Sequence, residues 1–211
     1  MRNLFGSLLL TLSLVAGFAH ALAAEPVAGT NYEVLKVAHP TSAPPGKVEV
    51  IEFFCYSSPQ CYKLEPAIEA FVKKEGDRIV FERVPVAFQD DLLPYSQLYY
   101  SLVQLGLEEK LTPVVYDAIH QKNYQLRTRE AQADFLATQG VDKQKFKAVY
   151  DSFTVTTLMH HGEKLCGDYH IDIIPTLFVV GRFKIGPVNN GPDGMATVLD
   201  YLVKQVQDKK L

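Results

Sequence analysis

The chain has little cysteine, no tryptophan and no block of basic residues. Each scarcity narrows the function. None of the three cysteines precedes Cys55, so an N-terminal lipid-modified cysteine is excluded. Three is an odd number, so in an oxidising compartment at least one thiol stays unpaired or bonds another molecule. A formal charge of −3 without a basic cluster argues against nucleic acid as a partner. No apolar run reaches the ~20 residues that a membrane-spanning helix needs. Metal-ligand spacing is also missing. His160 and His161 are adjacent and diverge by about 100° on a helix, which makes a poor chelate, and His170 stands apart. Repeats and low-complexity segments are absent. No cofactor is expected.

The N-terminus carries an export signal. Arg2 supplies the positive end, Leu4 to Phe18 a short apolar core, and Ala21-Leu22-Ala23 an A-x-A cleavage site. Cleavage is expected near Ala23, with Ala24 as the neighbouring alternative. Apolar residues make up 47% of the chain, enough for one sizeable core or a domain with an insertion.

The remainder is organised around Val50-Ile51-Glu52-Phe53-Phe54-Cys55-Tyr56-Ser57-Ser58-Pro59-Gln60-Cys61-Tyr62. An apolar strand with one internal carboxylate, Glu52, ends in a small polar turn. Ser58 is a good N-cap and Pro59 suits the first helical position. Cys61 then falls in the first turn of a helix, where the dipole favours thiolate.

This stretch resembles the active site of the DsbA family of thioredoxin-fold disulfide oxidoreductases. That family has an apolar strand with an internal Glu, followed by Cys-Pro-His-Cys-Tyr. The strand, Glu52, Pro59, Cys61 and Tyr62 match. Gln60 stands where the family has His, and Ser58 where it has the nucleophilic Cys. The resemblance implies an α/β thioredoxin-like fold with an inserted all-helical domain, and it covers nearly all of the chain beyond the export signal.

The order of elements fits. A short edge strand is expected within Asn31 to Val37, the central strand from Lys47 to Phe54, a helix from Pro59 to about Glu75, and a parallel strand from Arg78 to Val84. From about Asp91 to Tyr169 the periodicity is helical throughout. One helix is expected after Thr112-Pro113, and a long one from Ser152 presents Val155, Leu158, Met159, Gly162, Leu165 and Cys166 on one stripe. Strand pattern returns at Ile173 to Val180, followed by a hairpin and a closing helix from Met195. The expected division is a signal at 1–23, a thioredoxin-like domain at 24–87 and 166–211, and a helical insertion at 88–165.

The candidate catalytic residues are Cys61, Glu52, Ser58 and Pro175. Cys61 is either a reactive thiol near a substrate surface or the shielded second cysteine of an altered motif. Glu52 is costly inside an apolar strand without a role or a partner. Its counterpart in the family is implicated in proton transfer. Ile174-Pro175-Thr176 fits the family's cis-proline segment, which holds extended substrate backbone. Ile174 and Pro175, with Pro59 and Gln60, are therefore the candidate substrate-binding residues. Cys55 is a possible redox partner for Cys61, although strand alternation points it away from the Cys61 helix. Cys166 reads as core.

Two functions stay open. One is an exported, periplasmic thiol-disulfide oxidoreductase with weak dithiol oxidase activity. The other is a non-catalytic peptide-binding or chaperone-like protein. Expected partners are unfolded or thiol-bearing exported polypeptides, with a membrane reoxidant as a further candidate.

Overall fold

The computed structural model describes residues 25–187 and 189–211. The predicted export signal and its cleavage site lie outside the described residues. No helix among the described residues is long and apolar enough to cross a membrane.

Five strands form one mixed sheet: β1 (Glu33–Val34), β2 (Val48–Phe54), β3 (Ile79–Pro85), β4 (Thr176–Val179) and β5 (Phe183–Ile185), in the order β1-β5-β4-β2-β3. β2 is parallel to β3, and the other neighbours are antiparallel. Every residue of β2 is buried, as its near-continuous apolar run requires of a strand covered on both faces. Val48 and Val50 pack with Leu64, Ile68 and Phe71 of α1 (Pro59–Glu75) and with α7 (Gly191–Gln207). Ile51 and Phe53 point to the other face, against Val84, Tyr169 and Phe178.

Between β3 and β4 the chain is helical: α2 (Leu93–Leu105), α3 (Glu108–His120), α4 (Arg129–Thr138), α5 (Lys143–Tyr150) and α6 (Phe153–Asp168). No strand interrupts them, in line with the loss of strand periodicity in the sequence. Their shared core contains Leu98, Leu102, Val115, Tyr116, Leu136 and Phe146, and it continues into Phe54, Tyr56 and Cys61. The helices are thus anchored on the turn that starts α1.

The short edge strand expected within Asn31 to Val37 is present as two exposed residues, with Tyr32 beside it turned into the core. One expectation is corrected. α3 starts at Glu108, not at Thr112-Pro113. Glu108 and Glu109 in its first turn complement the helix dipole. Thr112, read as a cap, is instead buried inside the helix, with its hydroxyl 3.0 Å from the Tyr56 hydroxyl. Ile174-Pro175 is a cis peptide, as the resemblance implied.

Gly181, in the β4–β5 turn, has φ +61°, and a Cβ there would lie 2.5 Å from the His39 carbonyl oxygen. Gly140 has φ +85° but open space around it. Gly140→Ala is expected to lose only the left-handed penalty, about 1–2 kcal/mol. Gly181→Ala adds a backbone clash and should lower the unfolding temperature clearly further in a side-by-side thermal denaturation.

Candidate functional site

The site is built where β2 becomes α1. The strand ends at Phe54, and the Ser58 amide closes the turn on the Cys55 carbonyl at 3.0 Å. Ser58 has extended backbone angles, and its Oγ accepts the Cys61 amide at 3.3 Å, so it is the N-cap that its residue type suggests. Pro59 occupies the first turn. Pro59 and Gln60 are exposed, Ser58 is half-buried, and Cys61 faces inward with no accessible surface.

α3 clasps this turn from the other side. His120 Nε2 lies 2.8 Å from the Tyr56 carbonyl oxygen, and its ring stacks on Tyr62 with centroids 4.8 Å apart. The Tyr62 hydroxyl donates to Asp117 at 3.0 Å. The sequence reading missed His120, Asp117 and Thr112. Their spacing along α3 marks one helical face, but nothing local tells that this face meets the Ser58 turn.

Burial decides the state of Cys61. It pushes the thiol up to about 12, against smaller lowering effects from the Ser58 hydroxyl and the Cys55 backbone, and the charge of Glu52 pushes further upward. A rise from 9.0 to about 12 disfavours the thiolate by roughly 4 kcal/mol. A helix N-terminus returns only about 0.3–1 kcal/mol. The expectation of a dipole-stabilised thiolate is therefore corrected: Cys61 is a neutral thiol at neutral pH.

The strand stops at Phe54, and the Cys55 backbone reaches the Cys61 sulfur. Cys55 and Cys61 are both free and buried, and Cys55 Sγ sits 3.2 Å from the Ser57 hydroxyl. Ile174 packs against the core that contains Cys61, and Pro175 is buried beside it in sequence. Among the described residues no group of His, Cys, Asp and Glu could hold a metal ion.

Glu52 has found its partner across the sheet. Arg83, its register neighbour on β3, donates Nε to Glu52 Oε2 at 2.8 Å. The same guanidinium reaches both oxygens of Glu65, on α1, at 2.8 Å. All three side chains are nearly or fully buried. One cation between two carboxylates leaves the group short of positive charge. Burial, aided by the charge of Glu52, accordingly raises the Glu65 carboxyl despite Arg83. Glu52 Oε1 has no hydrogen-bond partner among the described residues.

No family model matches the chain. It is 57% identical over 213 residues to the thiol:disulfide interchange protein DsbA of Burkholderia cepacia, covering all of both chains. The chain belongs to the DsbA family. The DsbA of Pseudomonas aeruginosa is 37% identical over 207 residues, 97% of each chain. The crystal structure of Pseudomonas aeruginosa DsbA superposes with a TM-score of 0.80 at 34% identity, over 88% of this chain and 96% of that one. Within this DsbA fold the Arg83 ion group ties β2, β3 and α1 together, and the charge of Glu52 is felt at Cys61.

Arg83→Met should strand two buried carboxylates and cost about 3–5 kcal/mol at neutral pH. Glu65, raised above 4.5 when folded, keeps its proton longer in the native state than in the unfolded chain. The stability tied to that proton is full at acid pH and is lost as the pH rises through the raised value. Glu65→Gln should remove this slope, so that unfolding free energy falls less between weakly acidic and weakly alkaline pH than in the parent. Denaturant titrations across pH check both.

Proposed function

We propose that this DsbA-family protein is exported to the periplasm and acts on cysteines of exported polypeptides with little dithiol oxidase capacity. The observation that carries the proposal is the Ser58 cap. An alcohol accepts the Cys61 amide where the family's motif has its attacked sulfur.

Net oxidation of a client needs a disulfide in the enzyme. The client thiolate attacks one sulfur, and the other sulfur leaves with the electron pair. Ser58 cannot be that attacked atom. Its hydroxyl ionises far above the ~8.5 of a free thiol and forms no disulfide. Chemistry at this site then rests on Cys61 and Cys55. Cys61 thiolate, when the α1 turn opens, can displace one sulfur of a low-molecular-weight or client disulfide. A mixed disulfide forms and the other half leaves as thiolate. Cys55 is the nearest protein thiol that could resolve it. Glu52, with its free oxygen in this interior, is the candidate to take up or deliver the Cys61 proton.

In this proposal Ile174, Pro175, Pro59 and Gln60 line the place where an extended client backbone lies. The exposure of Pro59 and Gln60 and the cis peptide before Pro175 support that assignment. The uninterrupted helices from Leu93 to Asp168 support treating residues 88–165 as an insertion between the two parts of a thioredoxin-like domain, 24–87 and 166–211. A second reading, peptide holding without chemistry, is favoured by one observation: Cys61 has no accessible surface.

Ser58→Cys should install disulfide formation in a reduced test protein, since the strand, Glu52, helix start and Tyr62 are already in place. A revertant as inactive as its parent would refute the view that Ser58 is the limiting residue. Cys61→Ala should abolish slow mixed-disulfide formation with oxidised glutathione and leave the fold intact. If neither protein forms an adduct while both bind a reduced peptide equally, the holding function stands instead.

A further inference from the structure

The Ser58–Cys61 turn hides the thiol that it carries. Cys61 has no accessible surface, and Val115 and Tyr116 of α3 belong to the core that covers it. A reaction at its sulfur therefore needs the turn to lift away from α3. Whatever holds the turn down decides how often that happens.

The bonds inside the turn do not hold it to α3. The Ser58 amide donates to the Cys55 carbonyl at 3.0 Å, the Tyr62 amide to the Ser58 carbonyl at 3.0 Å, and the Cys61 amide to the Ser58 hydroxyl at 3.3 Å. All three lie within residues 55–62 and travel with the turn. The ties to α3 are at its two flanks. On the first, Tyr56 is fully buried, with its hydroxyl 3.0 Å from that of Thr112 and its ring centroid 5.1 Å from that of Tyr116. It is a fixed post. On the second, Tyr62 is half-buried, and its hydroxyl bond to Asp117 lies in solvent. Water competes for such a bond, so it holds weakly.

His120 engages both flanks. Its Nε2 lies 2.8 Å from the Tyr56 carbonyl oxygen, and its ring covers that of Tyr62 with the planes 9° apart. A carbonyl oxygen only accepts, so Nε2 carries the proton of this bond. Among the described residues the Tyr56 carbonyl has no other hydrogen-bond partner. That carbonyl belongs to the peptide leading into Ser57, so fixing it sets the direction in which the chain leaves the post. The stack on Tyr62 sets where the chain comes down. One imidazole thus closes a staple over residues 57–61.

We propose that His120 is a positioning residue that gates Cys61: the sulfur becomes accessible when the His120 staple releases the turn. The inference rests on the proposed disulfide chemistry only for what Cys61 does once it is exposed.

The test reads access separately from chemistry. The native protein is treated with iodoacetamide at mildly alkaline pH, and adducts at Cys61 and Cys166 are quantified by mass spectrometry. Cys166, on α6, packs against the core of Ile51, Phe53 and Phe178 and reports general loosening. His120→Phe keeps a ring over Tyr62 and removes the donor. It should raise the Cys61 rate about three- to tenfold, the effect of one lost hydrogen bond, with Cys166 unchanged. His120→Gln restores an N–H donor and should reverse most of that rise. A further measurement needs no variant. In the parent, Cys61 alkylation should be insensitive to low urea, because opening one turn exposes little surface. Adduct formation with oxidised glutathione is then followed in the same proteins. Faster alkylation without any glutathione adduct supports the gate and removes the disulfide chemistry. Equal Cys61 rates in parent and His120→Phe, an equal rise at Cys166, no rescue by His120→Gln, or a parent rate that climbs with urea in step with global unfolding would overturn the gate.

Discussion

Arg83 holds two buried carboxylates at once, and the junction of strand, strand and helix is arranged around that ion group. Glu52 comes from the central strand, Arg83 from its parallel neighbour and Glu65 from α1. Arg83 cannot leave without exposing unpaired carboxylate to the interior. The group therefore fixes the position of α1 over the sheet and, with it, the turn that presents Ser58 and Cys61. The charge of Glu52 also works against ionisation of the Cys61 thiol. Structure and chemistry are coupled through one guanidinium.

The substitution at position 58 acts within this frame. A serine hydroxyl is a good helix cap, so α1 starts as well with an alcohol as with a sulfur. The fold therefore does not depend on which of the two stands at position 58. Likewise, the clasp made by α3 does not depend on what position 58 carries. His120 holds the Tyr56 carbonyl, and Tyr62 stacks on His120 and binds Asp117. The helical region thus supports the turn through backbone and aromatic contacts.

Much of this was legible from local signals. β2 follows from an apolar run, the start of α1 from Ser58-Pro59, and the helical stretch from its periodicity. The cis Ile174-Pro175 peptide was legible only through family resemblance, since the residues alone do not distinguish it from an ordinary proline at a strand start. What escaped was long-range. Arg83 and Glu65 read as ordinary polar positions until register and helix packing bring them to Glu52. Thr112 looked like a cap because its neighbour is a proline, and only the α3–turn contact shows it facing Tyr56. Cys61 is the clearest case. Its place in a first turn was readable, but its protonation follows from burial by residues more than 50 positions away, Val115 and Tyr116 among them.

The most direct measurement is the alkylation rate of Cys61 across pH, read residue by residue by mass spectrometry on the native protein. The account predicts very slow modification at neutral pH, rising only in strongly alkaline solution, and rapid modification once the chain is unfolded. Fast native alkylation at neutral pH, with an apparent ionisation below that of a free thiol, would contradict it.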